Sequence, residues 1–207
     1  MKTPLKIAII GVTGNVGKRV AEEALNRGHQ VTGIARTIDS IPVRNNLALL
    51  VGDIDDPEGL AGILKGHDLV VSSIKPTDFN HDKLIKAVRL SGVKRYLVVG
   101  GAGTLEVAPG VTGLDSGLLP DFVVPVAKSA QDYLDILKSS KDINWTVLAP
   151  GAEFTAGERT GKFRLGTHEL IVDSNGKSAV SFEDYAIALL DEIEEPRHLH
   201  DYFSIGY

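Results

Sequence analysis

The chain has no cysteine among its 207 residues, which excludes disulfides, thiolate metal sites and a cysteine nucleophile. No apolar run approaches the roughly 18 residues needed to cross a bilayer, so no membrane partner is expected. The first residues, Met1 to Pro4, lead directly into an apolar stretch and leave no room for a signal peptide. We therefore expect a cytoplasmic protein.

An excess of basic residues is lacking as well, since 22 lysines and arginines stand against 27 aspartates and glutamates. Nucleic-acid binding requires a concentrated basic surface, so no nucleic-acid partner is expected. The acids near residue 53 and the pair His198 and His200 do not complete a coordination shell, and no metal is predicted. A length of 207 residues and a hydrophobic content of 43% fit one globular domain over residues 1–207. With nucleic acid and membrane disfavoured, the partner we expect is a small-molecule substrate. The sequence leaves the oligomeric state open.

What the sequence does contain is a glycine motif between a predicted strand and a predicted helix. Residues 7–17 read IAIIGVTGNVG. Gly11 allows a tight turn out of the strand, Gly14 leaves space for a diphosphate near the backbone, and Gly17 lets the helix pack closely. The N–H groups and the positive dipole end of the helix complete an anion site, so the segment predicts dinucleotide binding. The predicted binding residues of this turn are Gly11, Thr13, Gly14, Asn15, Val16 and Gly17.

Strands and helices alternate over the first 150 residues. Such alternation requires parallel strands with right-handed crossovers, hence an α/β fold whose doubly wound parallel sheet lies between two helical layers. The predicted strands are Leu5–Ile10, Gln30–Ala35, Leu47–Val51, Asp68–Ser73, Arg95–Val99 and Asn144–Leu148. The predicted helices are Asn15–Arg27, a short one from Pro57, Asn80–Leu90 and Pro125–Ser139.

The last quarter of the chain is predicted to be a small, irregular C-terminal segment. Lys162–Val172 reads as a strand pair or an irregular stretch, and Tyr202–Ile205 as a final strand. Between them, Ser181 and Asp184 resemble a capping box that opens a helix over Phe182–Ile193.

The ends of the second and third strands bear on the choice of cofactor. Sites that prefer NAD usually place an acid after the second strand, whereas here Ala35 is followed by Arg36, whose planar fork suits a 2′-phosphate. We therefore predict NADP(H), with NAD(H) as the alternative. Asp53 and Ile54 are predicted to flank the adenine, while Asp55 or Asp56 caps the helix that begins at Pro57.

The later strand ends should meet at the same edge of the sheet, because parallel strands end together there. The further predicted cofactor-binding residues are Ser72, Ser73, Ile74, Gly100, Gly101, Lys128 and Pro150. The predicted substrate-binding residues are Gly103, Glu153 and Phe154. The long connection Gly100–Val124 is predicted to form a mobile wall over the nicotinamide and the substrate.

No catalytic residue is predicted. In short-chain dehydrogenases a Tyr-x-x-x-Lys pair supplies the proton donor, but four residues before Lys128 stands Val124. This departure disfavours an ordinary alcohol dehydrogenase and also an epimerase. Lys128 can contact the ribose or pair with Asp132 one helical turn later.

The motifs GVTGNVG at 11–17, GDI at 52–54 and WTVLAP at 145–150 resemble the atypical short-chain dehydrogenases with NAD(P)H-binding domains. Segments 100–107, 157–162 and 184–192 are similar to the bacterial group described as NADH-flavin reductases. The likeness extends more loosely to the mammalian flavin reductase that acts on biliverdin.

This resemblance implies a single Rossmann-like domain that transfers hydride from NADPH to a free flavin, with the flavin as a substrate. Such a transfer needs alignment of two planar rings more than a strong acid, which agrees with the missing tyrosine. The alternative function is an NAD(P)-sensing regulator without turnover.

Overall fold

Eight strands form the main sheet of the computed structural model, which describes residues 3–38, 41–42 and 44–207. The strands of this sheet are β1 (Lys6–Ile10), β2 (Gln30–Ala35), β3 (Leu47–Val51), β4 (Leu69–Ser72), β5 (Arg95–Val99), β8 (Asn144–Pro150), β10 (Arg164–Gly166) and β12 (Asp201–Gly206). Two further pairs are β6 (Glu106–Ala108) with β7 (Val111–Thr112), and β9 (Glu153–Thr155) with β11 (Ala179–Ser181). The helices are α1 (Asn15–Asn26), α2 (Pro57–Leu64), α3 (His81–Ser91), α4 (Val124–Ser139) and α5 (Phe182–Glu194), with 3-10 turns at Pro76–Asp78 and Ala102–Thr104.

The order of strands across the sheet is β10-β12-β8-β5-β4-β1-β2-β3. Each neighbouring pair is parallel except β10 with β12. The order reverses direction on either side of β1, so the sheet is doubly wound, as the alternation of elements predicts.

Side chains alternate between the two faces of the sheet and create two cores. On β1, Ile7 and Ile9 pack with residues of α1 and α5, whereas Ala8 and Ile10 pack with residues of α2, α3 and α4. Two helical layers with a sheet between them are therefore confirmed. The alternation arises because successive side chains of a strand point to opposite faces.

The C-terminal quarter is more regular than its sequence suggests. Residues 164–166 do not pair within the segment 162–172; they pair with β12, antiparallel, at the edge of the main sheet. Of the two alternatives for 162–172, a strand pair or an irregular stretch, the structure shows one short strand whose partner lies about 40 residues later, where local patterns cannot identify it. The predicted final strand is confirmed and lies parallel to β8.

Three helices have side-chain caps at their first turn. Asp56 accepts from the N–H of Gly59 at 3.0 Å, Asn80 from that of Lys83 at 3.0 Å, and Ser181 from that of Asp184 at 3.0 Å. Of the two acids expected to cap α2, Asp55 or Asp56, the structure shows that Asp56 does so. The expected capping box at Ser181 is only half formed, because the Asp184 carboxylate accepts hydrogen bonds from other groups.

Candidate functional site

A cleft of about 320 Å³ lies at the carboxyl ends of β1, β2, β3 and β4. This is the edge at which parallel sheets bind ligands, beside the strand where the order reverses. The residues that line the cleft are Ile10, Gly11, Thr13, Gly14, Ala35, Arg36, Gly52, Asp53, Ile54, Asp55, Ser73, Ile74, Lys75, Asp78, Phe79 and Asn80.

In the glycine turn at the floor of the cleft, two glycines have no space for a side chain. Gly11 has φ +86°, and a Cβ there would lie 2.4 Å from the carbonyl oxygen of Ser73. A Cβ on Gly17 would lie 2.2 Å from the carbonyl oxygen of Gly11. Gly11 therefore shapes the turn and Gly17 brings α1 against that turn, while Gly17 itself is buried and does not line the cleft.

The first turn of α1 is open toward the cleft. Gly14 occupies the N-cap position, and within the described chain no side chain caps this helix and no acid stands in its first turn. The first N–H groups of a helix have no partner inside the helix, and its dipole places partial positive charge there. In contrast to α2, α3 and α5, this helix offers those donors and that charge to an anion in the cleft.

The outer part of the cleft combines charged and apolar side chains. Arg36 is exposed just after β2, and Asp53 is exposed just after β3. Ile54 and Ile74 are partly buried and pack against the core, so the lining of the cleft includes apolar side chains as well. An exposed cation and an exposed carboxylate together with apolar side chains suit a phosphorylated nucleoside.

Several predicted binding residues lie near the cleft without lining it. Asn15 and Val16 are in the first turn of α1, and Ser72 is buried at the end of β4. Gly100 and Gly101 line a separate, small apolar cavity that shares Ile74 with the cleft. Ile74 therefore borders both cavities.

A pair of buried tyrosines lies beneath this small cavity, and sequence reasoning missed it. Tyr133 of α4 lines the cavity, and its hydroxyl lies 2.5 Å from that of Tyr96 on β5. Burial raises the pKa of Tyr96 to about 12 and that of Tyr133 well above its usual value of 10.0. Both phenols therefore stay protonated at neutral pH, and neither of them lines the larger cleft.

Three further residues that were predicted to contact cofactor or substrate do not line the cleft. Lys128 is exposed on α4 and, in the described chain, forms no ion pair with Asp132. Pro150 is buried at the end of β8, and Gly103 is buried so closely that a Cβ would lie 2.6 Å from that of Ala127.

The two predicted substrate contacts after β8 have partners of their own. Glu153 forms an ion pair with Lys177 at 2.8 Å. The Phe154 ring packs against Phe182 and Tyr185, with centroid distances of 4.7 and 4.9 Å. Phe154 is only partly buried, and its direct contact with a substrate stays a prediction.

The predicted wall over residues 100–124 has more structure than a flexible loop. It contains the 3-10 turn Ala102–Thr104 and the hairpin of β6 and β7. The N–H of Leu114 donates to Gly103 O at 2.9 Å, which fastens the end of the hairpin to the 3-10 turn after β5. Leu118 and Phe122, in contrast, are 84% and 82% exposed.

The turn after β4 supplies cleft residues that sequence reasoning missed: Lys75, Asp78, Phe79 and Asn80. The available signal was their position, since they follow the end of a central strand directly and so share its edge. The ring of Phe79 contacts His81 and Tyr133, with centroid distances of 5.0 and 5.4 Å, which fixes this turn against α4.

The segment 157–162, which we call the strap, is fixed against α5 by a buried carboxylate. Asp184 is fully buried and accepts hydrogen bonds from the N–H of Thr160 at 2.7 Å and that of Gly161 at 2.8 Å. The hydroxyls of Thr160 and Tyr207 donate to the same carboxylate. These donors satisfy a charge that would otherwise be costly to bury.

The strap is also tied to α1 through an ion pair. Arg159 donates to both carboxylate oxygens of Glu23, at 2.9 and 3.0 Å, and Arg27 donates to Glu23 at 2.9 Å. Burial by itself raises the pKa of Glu23, but the hydrogen bonds from both arginines outweigh it and hold the pKa below its usual value of 4.5. The helix that opens at the glycine turn is thus fastened to the segment that follows β9.

The described residues contain neither a membrane-spanning helix nor a cluster of metal ligands. None of the helices formed by those residues is both long and apolar enough to span a membrane. No group of three or more histidine, aspartate or glutamate side chains in the same residues has the arrangement of a metal site.

Comparison with known proteins points to one family. A sequence profile of the family described as NAD(P)H-binding matches residues 11–196. A presumed exported protein of Burkholderia pseudomallei has 42% identity and a TM-score of 0.89, covering 98% of this chain and 100% of that one. A presumed epimerase of Bacteroides thetaiotaomicron has 38% identity and a TM-score of 0.93, covering 99% and 98%. A presumed NADH-flavin reductase of Streptococcus pneumoniae has 33% identity and a TM-score of 0.84, covering 98% and 99%.

Proposed function

Because the chain belongs to the NAD(P)H-binding family, we propose that it is an oxidoreductase that transfers hydride from NADPH to a free flavin or a similar planar acceptor. The cofactor would supply the hydride, and the protein would bind it, orient it and exclude water. The similarity to a presumed NADH-flavin reductase supports the flavin as acceptor.

The observation that carries the proposal is the open first turn of α1 beside the glycine turn. The backbone around Gly11, Thr13 and Gly14 lines the cleft, and the described chain provides no anion of its own to cap the helix. A dinucleotide diphosphate has the charge and acceptor oxygens that this position lacks. In this proposal Asn15 and Val16 contribute main-chain N–H groups, and Gly17 supports the turn.

The preference for NADPH over NADH is proposed from the end of β2. Arg36 is exposed on the lining of the cleft, and the residue before it is Ala35 where an acid would hold the ribose hydroxyl of NAD. The guanidinium can bind a 2′-phosphate through two parallel N–H groups. Asp53 and Ile54 are proposed to contact the adenine, and Ser72, Ser73 and Ile74 to lie along the ribose.

The nicotinamide and the acceptor are proposed to lie beyond Ile74, toward the ends of β5 and β8. Gly100, Gly101, Pro150 and Lys128 would border the nicotinamide, and Gly103, Glu153 and Phe154 the acceptor. The Tyr96 and Tyr133 hydroxyls bond to each other in the core and do not replace the missing proton donor. Alignment of two planar rings can lower the barrier without an acid, and solvent can supply the proton.

A nucleotide sensor without turnover is the second candidate. The sensor is favoured by the missing Tyr-x-x-x-Lys pair, because no tyrosine on α4 is followed four residues later by a lysine. A complete nucleotide cleft without an acid or base would serve a regulator equally well. The presumed epimerase relative does not favour a third candidate, because an epimerase also needs the missing tyrosine.

An anaerobic assay distinguishes the two candidates. Purified protein is mixed with NADPH and either FMN or riboflavin, and absorbance at 340 nm is followed against the same mixture without protein. The oxidoreductase predicts loss of NADPH well above the free-solution rate. The variant Gly14→Glu, which places bulk and negative charge in front of α1, serves as the control without a nucleotide site. Tight NADPH binding with no loss above background would support the sensor.

The compartment is part of the proposal too. A cytoplasmic location agrees with the absence of cysteine, although the Burkholderia relative is described as an exported protein. Fractionation of cells that express the chain from its own promoter tests this location.

A further inference from the structure

We propose that the outer edge of β3 is an interaction surface for a second copy of this chain. Two molecules would pair their β3 strands antiparallel around a twofold axis and so join their main sheets. β3 is the last strand in the order of the main sheet, and no described residue adds a strand beyond it. The pairing concerns assembly and is independent of the function proposed for the cleft.

The two edges of the main sheet are built differently. β10 is three residues long and carries Arg164, whose side chain donates to the carbonyl oxygens of Val172 and Tyr207. β3 is five residues long and reads LALLV, with no charge and no proline. Charges, prolines and very short strands are the usual features that keep a sheet edge from pairing with another chain. β10 has two of these features and β3 has none, so β3 has the character of a pairing edge.

The hydrogen bonds to β2 determine which main-chain groups of β3 point outward. Two bonds mark the ends of this parallel ladder, from Val31 N–H to Asn46 O at 2.8 Å and from Gly52 N–H to Ala35 O at 3.1 Å. Between them, the residues of β3 that bond β2 alternate with residues whose N–H and C=O face away from it. The outward-facing residues are Leu47, Leu49 and Val51.

These outward groups are arranged symmetrically about Leu49, which makes the edge complementary to itself. With a twofold axis at Leu49, the N–H and C=O of this residue meet those of the same residue in the second copy. The N–H of Val51 then meets the C=O of Leu47 in the second copy. The N–H of Leu47 donates to Arg44 O at 3.3 Å in its own chain. The strands are therefore joined by two bonds at Leu49 and by one from each Val51.

The same register provides partners for apolar side chains that are exposed in a single molecule. Leu50 is 42% exposed and Val51 is 62% exposed. With Leu49 on the axis, Leu50 lies opposite Ala48 of the second copy, and Val51 lies opposite Leu47 of the second copy. Cross-strand pairs of apolar side chains stabilise a sheet, and their burial removes apolar surface from water. The register that satisfies the main chain therefore also covers these side chains.

The charges on either side of β3 favour the antiparallel direction and a second copy as the occupant. Arg44 precedes the strand and remains 44% exposed although it lies 3.7 Å from Glu22. Asp53, Asp55 and Asp56 follow the strand and are all exposed. An antiparallel pair places the basic start of each strand beside the acidic end of the other, whereas a parallel pair would place like charges together. The chain thus carries the charge complement of its own edge.

Sedimentation velocity over a range of protein concentrations measures the dimer. A single strand pair is small compared with the roughly 1,200–2,000 Å² of a stable interface, so we expect a Kd of about 1–100 μM. Val51→Pro removes an outward N–H and leaves the bonds to β2 in place, so the Kd should rise by at least about tenfold. Val51→Thr is the matched control, because it keeps the N–H and the β-branched shape, and it should dimerise like the wild type. Thermal unfolding checks that both variants are folded.

The absence of cysteine allows a direct test of the register. In Leu49→Cys the two thiols lie at the axis, where paired Cα atoms are about 5.5 Å apart, a separation that a disulfide spans. In Ala48→Cys the two thiols occupy diagonal positions roughly 7–8 Å apart, which a disulfide does not span. Mild oxidation should therefore cross-link Leu49→Cys and leave Ala48→Cys monomeric in a denaturing gel. A wild type that stays monomeric throughout, an unchanged Kd in Val51→Pro, or equal cross-linking of the two cysteine variants would overturn the proposal.

Discussion

Replacing Gly14 by alanine separates the nucleotide-binding role of the glycine turn from its structural role. Gly14 has φ −70° and ψ 165°, a backbone conformation that alanine adopts without strain. A Cβ there would lie 3.2 Å from Gly11 O and 3.7 Å from Ser73 O, which is close but tolerable after a small shift. The free energy of unfolding should therefore change by less than about 1 kcal/mol.

The effect on the nucleotide should be larger, because Gly14 lines the cleft at the open end of α1. A methyl group there pushes the diphosphate away from N–H groups whose charge-assisted hydrogen bonds contribute about 1.5–3 kcal/mol each. We expect the Kd for NADPH to rise by about 30-fold, measured by fluorescence titration alongside urea unfolding.

Two further glycines provide the controls for this variant. Gly62→Ala lies in α2 with no atom within 4 Å of the new Cβ, so it should stabilise the fold by about 0.5–1 kcal/mol and leave NADPH affinity unchanged. Gly17→Ala places its Cβ 2.2 Å from Gly11 O and should cost about 1–3 kcal/mol of stability. If Gly14→Ala bound NADPH as tightly as the wild type, the diphosphate site would be refuted. The same holds if its NADPH affinity fell only in proportion to its free energy of unfolding.

Three other predictions follow from side chains described above. Arg36→Ala should weaken NADPH binding by about 10- to 100-fold and leave NADH nearly unchanged, because only NADPH carries the 2′-phosphate; equal effects in a parallel titration would exclude this contact. Asp184→Asn should lower the free energy of unfolding in urea by about 2–3 kcal/mol, since the amide presents an N–H to donors of the strap; a change below 0.5 kcal/mol would contradict that role. Glu23 has a lowered pKa in the fold, so its ion pair stabilises above the unfolded value of 4.5 and is lost as pH falls through the lower folded value. The stability difference between wild type and Glu23→Gln, about 1 kcal/mol at pH 7, should therefore shrink toward zero below pH 4.5, and a difference that stays constant would show that the charge does not matter.

The half of the molecule that contains the glycine turn could be predicted because its determinants are local. Strand β1, the glycine turn and α1 follow one another within residues 6–26, and apolar runs with strand length define β1 and β4. The cap at Asp56 could be predicted for the same reason, since an acid directly before a proline is typical of a helix N-terminus. Such signals depend on neighbours in the sequence, so they survive without knowledge of the tertiary structure.

The features that could not be predicted depend on contacts distant in sequence. The pairing of residues 164–166 with β12, the Phe154 packing against Phe182, and the Tyr96 contact with Tyr133 each join segments 28 or more residues apart. The position of Phe154 after β8 predicts a substrate contact, which stays a prediction, and only the fold reveals that its ring packs against Phe182 and Tyr185.

The cleft and its surroundings divide the proposed chemistry unevenly between the two reactants. In the proposed function the donor side has the open main-chain N–H groups at α1, a cation at Arg36 and the Asp53 carboxylate, so each part of a dinucleotide phosphate has a proposed partner. The cavity at Gly100 is small and mainly apolar, and the tyrosine beneath it is engaged by another tyrosine. Recognition by shape and apolar contact discriminates less than recognition by buried polar groups, because an analogue leaves no polar group unpaired. A protein built in this way should be strict about its hydride donor and tolerant of planar acceptors, since the groups that enforce specificity lie on one side only.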